Sequence, residues 1–223
     1  MKTFIKKIII PNDPVLKREL LHRKYNDFTM IPRHLFLGNL ALCDYVKNID
    51  GSVMECGVWK GGMSAAIAEV MGKDRDYFLF DGFEGMPPAK EIDGKKALEW
   101  QSDKSSVNYL DNCKVDISYA QKAMVMSAAP KFRIVKGWFD QTIPSFIPPG
   151  KIAILRLDCD WYDPMTLCLD TLFKYVSHGG LIILDDYYSY EGCSRAVHDF
   201  LSRNNSPLVI HQHPSGVPYI LNK

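Results

Sequence analysis

Ile154-Leu155-Arg156-Leu157-Asp158 and Leu181-Ile182-Ile183-Leu184-Asp185-Asp186 are two short apolar runs, each ending in carboxylate. Runs of this length, bounded by turn signals, fit strands buried on both faces of a parallel sheet. Between them, Met165 to Val176 reads as a helix, with Leu169, Leu172, Phe173 and Val176 on its apolar side. Gly179-Gly180 is expected to end that helix. The three pieces form one βαβ unit, whose neighbouring strands lie about 4.8 Å apart. Asp158, Asp185 and Asp186 then meet at the carboxyl edge of the sheet, where open α/β folds bind ligands. Crowded carboxylates repel one another, and a hard divalent cation neutralises them. The bland alternative is that Asp185 caps the next helix.

Working outward, Ser52 to Val58 reads as the first strand. It runs into Gly57, Gly61 and Gly62 and then a helix over Ala65 to Met71. Glycines let a backbone approach a ligand, and a helix N-terminus offers free N–H groups to an anion. The spacing is neither Gly-x-Gly-x-x-Gly nor a Walker loop, which argues against NAD and ATP. Tyr77 to Phe80 is the second strand, and Asp81 at its end is suited to ribose hydroxyls or to an ordinary loop. Residues 89–110 are polar and weakly periodic, and read as a mobile insertion or substrate lid. Val115 to Met126 is expected as a helix and Phe132 to Lys136 as a third strand, followed by Trp138 and Phe139. Ser194 to Leu201 is a short helix, and Leu208 to His211 with Val217 to Leu221 is a terminal hairpin.

Before the first strand, Asp13-Pro14 signals a helix that runs to about Lys24, with Leu16, Leu20 and Leu21 as its apolar stripe. A second helix spans His34 to Lys47. Residues 1–50 are therefore a helical extension or lid, and 51–223 the catalytic domain. The opening ten residues make a poor signal peptide and a better strand or arm.

The 223 residues suit one α/β domain with a modest extension, and a hydrophobic fraction of 47% supports a sizeable core. A net charge of +1 gives no reason to expect nucleic acid or an anionic membrane as partner. No apolar segment approaches the length of a membrane span. The six cysteines contain no Cys-x-x-Cys pair and read as reduced thiols of a cytoplasmic protein. His198, His211 and His213 are not at metal-ligand spacing.

Five ordered motifs carry a resemblance: Glu55-Cys56-Gly57-Val58-Trp59-Lys60-Gly61-Gly62, Asp81-Gly82-Phe83-Glu84-Gly85-Met86-Pro87, Gly137 through Pro144, Leu155 through Asp160, and Gly179 through Tyr187. Together they resemble the macrocin O-methyltransferase (TylF/MycF) family. The resemblance implies a Rossmann-like, seven-stranded, mostly parallel sheet with an antiparallel last strand and helices on both faces. It implies O-methylation by S-adenosylmethionine with a divalent metal, usually magnesium (Mg2+), without fixing the substrate; the expected acceptor is a small natural product, with a sugar hydroxyl favoured over a free catechol. Glu55, Gly57, Gly61 and Ser64 would bind the methionine part of the cofactor, Asp81 the ribose, and Trp138 would sit near the adenine. Asp158, Asp185 and Asp186 would hold the metal, with Asp158 the candidate base and Asp160 or His198 its substitutes. Cys159 and Trp161-Tyr162-Asp163-Pro164 depart from the family pattern beside the acceptor pocket. A homodimer through the N-terminal helices is compatible with the sequence. The rival readings are an NAD-type oxidoreductase and a non-catalytic cofactor-binding scaffold; a salt bridge filling the carboxylate corner would favour the scaffold.

Overall fold

The computed structural model describes residues 13–223, so the expected N-terminal strand or arm lies outside the described residues. The elements are α1 (Pro14–Tyr25), α2 (Arg33–Cys43), β1 (Ser52–Cys56), α3 (Gly62–Met71), β2 (Tyr77–Asp81), α4 (Lys95–Ser102), α5 (Ile117–Ser127) and β3 (Phe132–Lys136). They continue as α6 (Phe139–Thr142), β4 (Ile152–Leu157), α7 (Tyr162–Leu172), β5 (Val176–Leu184), α8 (Glu191–Arg203), β6 (Ile210–Gln212) and β7 (Pro218–Leu221). The seven strands form one sheet in the order β3-β2-β1-β4-β5-β7-β6. The first five are parallel, and β7 runs antiparallel between β5 and β6. This is the Rossmann-like sheet that the sequence motifs imply.

The central strands are buried on both faces, as their continuous apolar runs require. Side chains alternate across the sheet. Val53, Ile154, Leu181 and Ile183 face a core built with α2, α3 and α5. Met54, Leu155, Leu157, Ile182 and Leu184 face a second core, with α7 and α8. Fully burying one such side chain contributes about 1.5–3 kcal/mol, so the two cores together hold the sheet between its helices.

Three local readings change. α7 ends at Leu172, and Val176 already belongs to β5, so Gly179-Gly180 does not end the crossover helix. The glycines sit inside a bulged strand, where the register jumps from Ile152↔Val176 to Ile154↔Leu181. A glycine pair serves a bulge as readily as a helix end. In α1, Asp13 caps as expected, accepting from the Val15 amide at 2.8 Å. Its apolar stripe is only partly used, because Leu21 is buried while Leu16 and Leu20 stay exposed. The polar stretch 89–110 is not wholly irregular. It carries a 3-10 turn at Glu91–Asp93 and α4, with Asp93 and Ala97 buried.

The strand order reverses between β1 and β4, which leaves a crevice at their carboxyl ends. There the two chains come very close: a Cβ on Gly57 would lie 1.8 Å from the Asp158 carbonyl oxygen. Gly57 also has φ +89, a value that L side chains resist. Gly72 has φ +101 but nothing within 4 Å of its missing Cβ, so it isolates the backbone cost alone. Gly72→Ala is expected to lose about 1 kcal/mol of stability and Gly57→Ala at least about 3 kcal/mol, read from urea midpoints. Equal losses would contradict the close approach at the crevice.

Candidate active site

The sheet delivers its acids to one edge. Asp158 follows β4 directly, and Asp185-Asp186 follow β5. One oxygen each from Asp158, Asp160 and Asp186 lies within 4.8 Å of the others. Asp160 reaches this group through a tight turn: it has φ +55, and its amide donates to Asp186 Oδ2 at 3.1 Å.

Beneath these acids lies Arg156, which is fully buried. It belongs to β4 in register with Glu55 of β1. Its Nη1 donates to Glu55 Oε1 at 2.5 Å and to Asp158 Oδ2 at 2.8 Å. Nη2 pairs with Asp185 Oδ1, off the hydrogen-bond axis. Nε donates to Asn39 Oδ1 of α2 at 3.1 Å. On the far side, Glu55 Oε2 accepts from Ser64 Oγ at the start of α3. The expected trio is therefore divided. Asp158 and Asp186 converge with Asp160, while Asp185 turns one oxygen down to Arg156.

One guanidinium stands against five carboxylates here, and the electrostatics follow. Burial works against the charge on Arg156, but Asp185, Asp158 and Glu55 keep it protonated. Burial pushes Glu55 up to about 7 against the pull of Arg156 and Ser64. Burial likewise pushes Asp185 up to about 6, opposed by Arg156. Asp186 and Asp160 are driven well above the usual carboxylate range, first by burial and then by neighbouring aspartates. Such groups gain from a proton or from a cation.

The donor set fits a small hard cation. Three carboxylates supply the oxygen ligands that such an ion prefers, and one oxygen of each already lies within 4.8 Å of the other two.

A cavity of about 670 Å³ opens above this group. Of the residues expected to bind cofactor, Gly57, Asp81 and Trp138 line it. Glu55 and Ser64 do not reach it; they are buried beneath the crevice with Arg156. Gly61 packs against Ala120 of α5 instead. Asp81 braces the glycine turn: Oδ2 accepts the amides of Val58 and Trp59, each at 2.8 Å, and Oδ1 accepts Phe83 N at 2.6 Å. The Trp138 ring lies over Gly82, 3.5 Å from where a Cβ would stand. Trp161, Tyr190 and Trp100 form an aromatic wall beside the acids, with centroids 4.9 Å apart for the first pair. His198 is exposed, bonds to Tyr187 Oη at 2.8 Å, and is not among the lining residues.

Sequence reasoning passed over Arg156. The signal was present: a charged residue interrupts each of two apolar strands, Glu55 in one and Arg156 in the other, and opposite charges at matched positions pair.

The chain matches the family described as "Macrocin-O-methyltransferase (TylF)" over residues 26–212. It is 30% identical over 178 residues to the 8-demethyl-8-(2,3-dimethoxy-alpha-L-rhamnosyl)-tetracenomycin-C 4'-O-methyltransferase of Streptomyces olivaceus, covering 75% of this chain and 65% of that protein. It is 29% identical over 165 residues to the demethyldecarbamoylnovobiocin O-methyltransferase of Streptomyces niveus, covering 70% of this chain and 60% of that protein. The chain thus spans less than two thirds of the length of these relatives. Among solved structures it resembles the O-methyltransferase NovP, with a TM-score of 0.74 at 23% identity, over 88% of this chain and 82% of that one.

Arg156→Met leaves Glu55, Asp158 and Asp185 without their buried cation, which costs about 3–5 kcal/mol at pH 7.5. Glu55 and Asp185, which burial already raises and Arg156 no longer pulls down, then titrate higher in the folded state than in the unfolded one. The folded state therefore binds more protons between those values, and stability rises as pH falls. Denaturation in chelator should show a smaller loss at pH 5.5 than at pH 7.5. A loss independent of pH would contradict the charge network.

Proposed function

This chain belongs to the macrocin O-methyltransferase (TylF) family, and on that premise we propose that it transfers a methyl group from S-adenosylmethionine to a hydroxyl of a small-molecule acceptor, assisted by a divalent cation such as magnesium. The observation that carries this reading is the convergence of Asp158, Asp160 and Asp186 beside the cavity at the sheet's switch point. The acceptor hydroxyl is read as belonging to a sugar, in keeping with the rhamnosyl compound in the name of the Streptomyces olivaceus relative.

S-adenosylmethionine supplies a methyl carbon that is already electrophilic. Asp158 and Asp186, with Asp160 or the free oxygen of Asp185 completing the set, would hold a divalent cation, which would supply Lewis acidity toward the acceptor hydroxyls. The chain itself must align and deprotonate one oxygen. Asp158 is the candidate base, and because Arg156 holds its Oδ2 at 2.8 Å, its one remaining oxygen serves either the proton or the cation. Asp160 is the substitute on the same rim. Trp138, Gly57 and Asp81 line the same cavity and orient the cofactor, Asp81 by shaping the glycine turn. Trp161, Tyr190 and Trp100 exclude water from the acceptor side. Met30, Ile31, Pro32 and Leu35 of the N-terminal region close a further wall, which supports a lid role for that region.

A non-catalytic cofactor-binding protein is the second reading, and one observation favours it: Arg156 occupies part of the acidic corner by pairing Asp158 and Asp185. Asp160 and Asp186 weigh against it, since neither has a cationic side-chain partner among the described residues.

Calorimetry of the wild-type protein is expected to give micromolar dissociation constants for S-adenosylmethionine and S-adenosylhomocysteine and no binding of NAD. Asp186→Asn should keep S-adenosylhomocysteine binding within a few-fold yet lower methyl transfer to a panel of glycosylated acceptors by about 100-fold or more. Full transfer by this variant would remove the cation from the reaction. Absence of binding by either sulfur compound would remove the methyltransferase reading altogether.

A further inference from the structure

The segment between β2 and α5 is stitched to the residues that directly follow Asp160. Trp161 Nε1 donates to the Pro87 carbonyl at 2.9 Å. The Tyr162 amide donates to Asp93 Oδ1 at 2.7 Å. Lys90 pairs with Asp163. Asp93 is 2% exposed, and its other oxygen accepts the Lys90 amide at 2.7 Å. Both oxygens are thus held by backbone amides, one on its own strap and one at the first residue of α7. The N-cap residue of α7, Trp161, offers no side-chain acceptor, so the cap comes from a distant part of the chain. The first turn of α8 backs this arrangement: a Cβ on Gly192 would lie 2.7 Å from Asp93 Cα.

Asp160 depends on what surrounds it. Its φ of +55 lies in the left-handed region, which aspartate enters more readily than most residues, so what fixes the turn is its contacts. Asp186 grips its amide at 3.1 Å, and the Trp161 amide turns back to the Cys159 carbonyl at 2.6 Å. The next two residues are the ones that the strap fastens.

We propose that Asp93 is a positioning residue for the carboxylate site. By fixing the start of α7 it holds the left-handed turn that aims Asp160 at Asp158 and Asp186. This rests on the divalent-cation reading given above. A residue that only capped α7 would support the stability of that helix and leave cation affinity alone. A residue that orients the ligands from behind changes affinity by about 10–100-fold when removed.

The test uses the full chain saturated with S-adenosylhomocysteine and titrated with Mn2+, with free Mn2+ followed by electron paramagnetic resonance. Asp93→Ala is expected to raise the Mn2+ dissociation constant about tenfold or more while changing that of S-adenosylhomocysteine less than about twofold. Asp93→Asn keeps an oxygen for the Tyr162 amide but turns its NH2 toward the Lys90 amide, and its Mn2+ affinity should fall between those of wild type and Asp93→Ala. Trp161→Phe removes one strap bond with the ring retained, and should weaken Mn2+ in the same direction; it carries the test if Asp93→Ala does not fold. Unchanged Mn2+ affinity with a lowered melting temperature would overturn the proposal and leave Asp93 a cap. Failure of the wild-type protein to bind Mn2+ would overturn the cation reading, and this proposal with it.

Discussion

A guanidinium sits near the carboxyl end of a central parallel strand, sealed from water, and the crevice is arranged around it. Burying Arg156 alone would be prohibitive. It is tolerable because Glu55, Asp158 and Asp185 surround it and Asn39 accepts from its remaining side. The pairing crosses three adjacent strands, β1, β4 and β5, so it fixes how their carboxyl ends sit relative to one another. It also ties α2 and α3 to those strands, through Asn39 and through Ser64 on Glu55. Such a network contributes little net stability compared with an apolar core of equal volume. Its consequence is placement: Asp158 and Asp185 are oriented before any ligand arrives.

The same network leaves a residue of negative charge. Arg156 takes up Glu55, Asp185 and part of Asp158, and Asp160 and Asp186 remain on the cavity side. Their high proton affinity is the signature of acids crowded without a counterion. The lower layer of ion pairs is structural and the upper layer is chemically unsatisfied. Asp81 also works through the backbone, bracing the glycine turn that lines the cavity. The strap between β2 and α5 then links the mouth of the cavity to the turn that carries Asp160.

Much of this was legible in the sequence. Apolar runs ending in aspartate gave the strands, their order along the chain gave the βαβ unit, and the carboxyl edge of the sheet located the cavity. Arg156 escaped because a single charge inside an apolar strand does not alter its period, and its meaning depends on register with Glu55. Asp160 was read only as a substitute base, because strand ends suggested the metal ligands; the residues after it are held by tertiary contacts with Pro87 and Asp93, which strand periodicity does not announce. The same contacts order part of 89–110, whose own periodicity is too weak to specify a helix. Gly179-Gly180 was misassigned because the local chemistry of a helix end and of a strand bulge is the same, and only pairing with β4 distinguishes them. Glu55 and Ser64 were placed against the cofactor by motif, but their side chains point into the core on the β1 face shared with α3.

The most direct test is a crystal structure of the protein with S-adenosylhomocysteine and Mn2+, read in anomalous difference density. The account predicts one peak among the carboxylates of Asp158, Asp160 and Asp186, with Arg156 still pairing Glu55 and Asp185. Absence of a peak there, or a peak ligated by an Asp185 that has left Arg156 while Asp160 points away, would contradict it.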